Sequence, residues 1–172
     1  MILSVSELKR QIDCGSTLDE LITMRLKAIE AVIRAYTNNS FQIRSARFAG
    51  IAEENRISGT PVAIAVGDTV QISESRFNGG LYVVSEVSET GITVDGLLEP
   101  DRVLVTKVKY PADVVQCAVD LYDWKQKNGD KVGIKSETLS RHSVTYEDSA
   151  TLFMGYPVGI LNGLKLHRKA RC

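Results

Sequence analysis

Three cysteines and two histidines are few for a chain of 172 residues, and their scarcity removes several kinds of protein at once. Cys14, Cys117 and Cys172 are odd in number and widely spaced, with no CxxC and no Cys/His cluster, so neither a disulfide framework nor a zinc site is expected. His142 and His167 have no Cys, Asp or Glu at the spacing of a metal site or catalytic pair, and both read as surface polar residues. Net charge is also missing. Lys plus Arg equals Asp plus Glu at 21 each, so no global field draws the chain to nucleic acid or an anionic membrane. No run of about 18 apolar residues occurs, and Met1 leads into "ILSVSELKRQ" without a basic stretch followed by an apolar one; a soluble chain without a secretion signal is expected.

What is present changes grammar twice. Ser4 with Glu7, and Thr17 with Glu20, have the spacing of capping boxes and open two helices, separated at Gly15. In the second, Leu18, Leu21, Ile22, Ile29, Val32, Ile33 and Tyr36 recur near a 3.6-residue period, and "TNNS" (37–40) ends it with residues that tolerate a left-handed turn. From Phe41 the runs are short and β-rich: "FQIRSARF", "VAIAV", "DTVQIS", "GLYVVSEV", "GITVDGLL" and "RVLVTKVKY". Asn78-Gly79-Gly80, Thr90-Gly91 and Asp95-Gly96 between them read as hairpin turns. About five such strands can close a small barrel. Helical period returns after Tyr110, with Pro111 at its start, an apolar stripe of Val114, Ala118, Leu121 and Tyr122, and Asn128-Gly129 at its end.

The expected fold class is α+β: a helical bundle (1–39 plus 109–132), an inserted small antiparallel β-barrel-like domain (40–108) and an extended C-terminal arm and tail (133–172). An enzyme finds little purchase in these residues. Ser136, Ser140 and Ser143 lie near His142 without a GxSxG turn, and "SRFNGG" lacks the Lys-Ser/Thr of a phosphate-binding loop. No catalytic, cofactor or metal residues are assigned.

The order of these pieces resembles the head-tail connector, or head-completion adaptor, family of tailed bacteriophages. The resemblance is carried by the N-terminal helices, by "YPADVVQCAVDLYDWKQKNGD", by "VGIKSETLSRHSVTYED" and by the terminal "GYPVGILNGLKLHRKAR"; residues 40–108 depart from the smallest members. It implies a non-enzymatic structural protein of the virion, assembled in the bacterial host cytoplasm. Its partners would be further copies of itself in a ring of twelve, the portal protein and a tail-completion or neck protein; packaged DNA would pass through without sequence-specific binding, and no membrane would be involved. Within it, Ile134, Leu139, Val144 and Tyr146 suit an extended segment paired by a neighbouring subunit. Tyr156, Pro157, Ile160, Leu161, Leu164, Lys165, Arg168, Lys169 and Arg171 suit a tail that folds only on docking to the portal, Gly159 and Gly163 keeping it weakly helical when free. The alternative is a small-barrel nucleic-acid-binding module, for which Arg44, Arg47, Phe48, Tyr82 and Arg102 are the basic and aromatic candidates, scattered and matched by acids.

Overall fold

The computed structural model describes residues 1–129, 136–139, 142–145 and 152–170, with the backbone alone at 136–139 and 142–145. The fold is mixed α+β, and the chain divides into two compact units, one of Met1 with Ser40–Tyr110, the other of Ile2–Asn39 with Pro111–Cys172. No described helix is long and apolar enough to cross a membrane.

The second unit begins with α1 (Val5–Gln11), whose capping box is formed: the Glu7 amide donates to Ser4 Oγ at 3.2 Å and the Ser4 amide to Glu7 Oε2 at 2.7 Å. Helix α2 (Asp19–Thr37) starts one residue beyond the expected Thr17 cap. Leu18 occupies the cap position and no side chain caps the helix. Its core stripe is Ile22, Leu26, Ile29 and Ile33, a 4-3-4 spacing on one face, all fully buried. Leu18 and Leu21, expected in that stripe, are exposed. Asn38, with φ of 48°, ends the helix in the left-handed conformation that "TNNS" suggested. Helix α3 (Ala112–Asn128) follows Pro111, which caps it, and buries Val114, Ala118, Leu121 and Tyr122. The buried Tyr122 hydroxyl makes no well-formed hydrogen bond among the described residues, with the Cys14 thiol as a weak polar neighbour.

The first unit is one antiparallel four-stranded sheet of β1 (Gln42–Ser58), β2 (Thr69–Ser73), β3 (Gly80–Ser88) and β4 (Gly91–Val108). Strand β4 lies along β1 by one edge. Its other edge serves β3 with its first half, from Gly91 opposite Ser88 to Val94 opposite Val84. The second half serves β2, from Leu104 opposite Ser73 to Val108 opposite Thr69. Strands β2 and β3 also pair, so the sheet rolls around a core of Phe48, Ile57, Ile72, Val84, Ile92 and Val105. It is not the closed barrel expected from strand number. The ladder stops at β1, which curls until its two halves meet: Ser58 Oγ donates to the Ile51 carbonyl at 3.2 Å, and a Cβ on Gly50 would overlap the Ser58 carbonyl. Glycine permits that approach and no ladder bonds cross it. At the entrance and exit of the unit, the Lys109 amide donates to the Phe41 carbonyl at 3.0 Å, and the Phe41 and Tyr110 rings lie 5.0 Å apart.

Three strand assignments change. "VAIAV" is a loop that presses Ile64 into the core, held by Asp68, which accepts from the Ala65 amide at 2.7 Å and pairs with Lys107 at 2.5 Å. Strand β1 runs ten residues beyond the expected Phe48, to Ser58. Asp95-Gly96 is no turn but lies within β4, where Asp95 Oδ1 accepts from the Val83 amide at 2.7 Å and Gly96 leaves room for the Tyr82 ring.

Candidate partner-binding site

After α3 the described backbone resumes as a hairpin, β5 (Ser136–Leu139) with β6 (His142–Thr145), in which Leu139 faces His142 and Glu137 faces Val144. The stretch therefore contains strands that partner each other, not one unaccompanied extended arm. Leu139 and Val144 fall in the two strands, whereas Ile134 and Tyr146 lie outside the described residues.

The C-terminal segment departs most from expectation. A two-residue pairing of β7 (Leu152–Phe153) with β8 (Tyr156–Pro157) turns at Met154-Gly155, and then one helical turn, α4 (Val158–Leu161), runs into a 3₁₀ helix at Asn162–His167. Pro157, Leu161 and Leu164 share a 4-3 spacing and are buried, Leu161 fully. Tyr156 is buried beside Trp124, ring centroids 6.4 Å apart, with Lys125 Nζ 5.9 Å above its ring, and burial raises its hydroxyl pKa. The Cys117 thiol sits 3.8 Å from the Ile160 carbonyl; burial pushes its pKa up to about 12, which leaves it inert as a nucleophile.

These contacts correct the picture of a tail that folds only on binding. Tyr156, Pro157, Leu161 and Leu164 belong to the unit's own core and cannot also face a partner. Gly159 and Gly163 have nothing near where a Cβ would stand, so they lie on the outer side. Their low helix propensity is offset by the leucines opposite.

Polar groups then clasp the segment to the end of α2. The Lys169 amide donates to the Thr37 carbonyl at 2.8 Å, Asn39 Nδ2 to the His167 carbonyl at 3.0 Å, and Asn38 Nδ2 to the Ala170 carbonyl at 3.0 Å. Tyr36 donates its hydroxyl to Asn162 Oδ1 at 3.1 Å; its ring meets Phe153 edge-on and carries the Arg168 guanidinium at 5.3 Å. His167 Nε2 lies 2.6 Å from Asp113 Oδ2, a partner 54 residues away, and this hydrogen bond holds the Asp113 carboxyl below its usual pKa. Sequence spacing gave no sign of that pair.

Between the two clasped elements lies an open pocket of roughly 480 Å³, lined by Tyr36, Asn38, Lys165, Arg168, Lys169 and Ala170. Three of its lining residues are cations and none is an acid. Of the portal-facing candidates, Lys165, Arg168 and Lys169 are exposed around it and Ile160 is half-buried, while Arg171 lies outside the described residues. A concavity of about 510 Å³ at the curl of β1 mixes Ile51, Glu74 and Arg102 with glycines and forms no comparable constellation. Among the described residues no three of His, Cys, Asp and Glu are grouped to hold a metal. No protein-family model matches the chain, and no curated protein matches it.

Proposed function

We propose that this chain is a structural virion protein that forms a ring between the portal and the tail of a tailed bacteriophage, completing the filled head and offering the tail its attachment surface. The reading rests on the resemblance in the order of helices, hairpin and basic C-terminal segment. The observation that carries it is the antiparallel pairing of β5 with β6, "SETL" against "HSVT". Among the described residues its strands pair only with each other, which leaves two outer edges for backbone pairing. Head-to-tail edge pairing closes naturally in a cyclic homo-oligomer, each copy giving one edge and receiving on the other. In this reading the helical unit is the ring body, the β unit meets adjacent subunits or tail components, and the exposed cations at 165–169 face the portal.

The test is Val144→Pro, which removes a backbone donor from β6. Far-UV circular dichroism should show the helical unit intact while light scattering shows that rings no longer form. Undiminished ring formation by a folded Val144→Pro protein would refute the role of the hairpin.

A further inference from the structure

We infer that the pocket of Tyr36, Asn38, Lys165, Arg168 and Lys169 is a preformed binding site for an acidic peptide, whose carboxylates the three cations receive. Like charges brought together repel, and among the described residues none of the three cations makes a salt bridge that would relieve this. The chain as a whole is neutral, so the concentration of positive charge is local. The carbonyl end of α2 lies close by and offsets part of it, but a helix terminus carries only about half an elementary charge.

The walls are fixed before any ligand arrives. The clasp from Asn38, Asn39 and the Lys169 amide holds the backbone that carries all three cations, and the Arg168 guanidinium lies over the Tyr36 ring, 5.3 Å from its centroid. A planar guanidinium held in place loses little freedom when it grips a carboxylate with two parallel bonds.

Nucleic acid fits less well. Duplex DNA offers a charge about every 1.7 Å along its axis and rewards a long basic track, whereas these three cations fall within the five residues 165–169. Single strands want an open aromatic platform, and the Tyr36 ring is already covered by Arg168 and met by Phe153. Calling the peptide's owner a portal protein rests on the connector reading; the site itself does not, and its test needs no portal.

The experiment measures binding of a fluorescent oligoglutamate peptide to the full chain by anisotropy, with a short DNA duplex and inorganic phosphate as separate probes. Saturable peptide binding is expected, about tenfold weaker in Lys165→Gln/Lys169→Gln, which keeps the Arg168 stack, and weakened also by Arg168→Lys, which keeps the charge but loses the fork. Lys27→Gln/Lys109→Gln, two exposed cations outside the pocket, should bind as the parent does. Circular dichroism confirms that each variant is folded. Equal losses in both double variants, tighter binding of the duplex than of the peptide, or no saturable peptide binding would each overturn the proposal. Peptide binding as predicted in a protein that forms no rings would leave the site standing and the connector reading refuted.

Discussion

Replacing Leu161 by alanine asks whether the last described residues are core or appendage. Leu161 is fully buried, so the substitution loses the transfer free energy of the side chain and leaves a cavity, together about 2–5 kcal/mol. For a chain of this size each kcal/mol moves the melting temperature by about 2–4 °C, so a mid-range loss of about 3 kcal/mol predicts a fall of about 6–12 °C. Leu166 is the internal control. It stands five residues on, is 94% exposed, and as alanine should change stability by no more than about 0.5 kcal/mol. Thermal and urea unfolding followed in the far-UV helical band reports the helical unit directly. Truncation after Met154 should be more damaging than Leu161→Ala, because it also removes Tyr156, Leu164 and the clasp at the end of α2. If Leu161→Ala and Leu166→Ala melt alike, or the truncated protein melts as the full chain does, then the segment is not part of the core.

Three further outcomes follow from particular contacts. Tyr122→Phe removes a buried hydroxyl whose polar neighbour is the weakly hydrogen-bonding Cys14 thiol, so the melting temperature should hold or rise; a loss above about 1 kcal/mol would show that the hydroxyl is firmly bonded. Asn78→Ala breaks the two 2.8 Å bonds that its buried side chain exchanges with the Glu99 backbone, at a cost of about 1–3 kcal/mol, visible as faster amide exchange in β3 and β4 with α2 unchanged. The folded pKa of Asp113 is depressed chiefly by its hydrogen bond from His167, so its contribution is fully present above the ordinary Asp value of about 3.9 and is lost as pH falls through the folded value. Acid titration of stability should therefore be flatter in Asp113→Asn than in the parent below about pH 4, and identical slopes would contradict the assignment.

The helices were legible because burial on one side leaves a 3.6-residue period, and the Ser4 box and Asn38 turn because their chemistry is local. Strand limits were less so. The run "AGIAEENRIS" carries four charged or amide residues and reads as loop, yet it pairs with β4 while its other edge faces solvent at the curl. Asp95-Gly96 has turn chemistry and sits mid-strand because Asp95 bonds a neighbouring amide and Gly96 admits a ring. At the candidate site the cations at 165, 168 and 169 were visible as a basic cluster, but their pocket was not. It depends on Asn38 and Asn39 reaching residues more than 120 positions away, and no local pattern encodes such a meeting. Gly159 and Gly163 misled for a related reason: propensity weighs the isolated segment, and the buried leucines opposite decide the outcome.

Native mass spectrometry of the 172-residue chain, alone and mixed with a phage portal protein, tests the central claim most directly. A closed ring of about twelve copies, the number the connector resemblance implies, is expected to bind the portal and to dissociate from it in part as ionic strength rises. A monomer or dimer that never associates with the portal, at concentrations where the protein is folded, would contradict it.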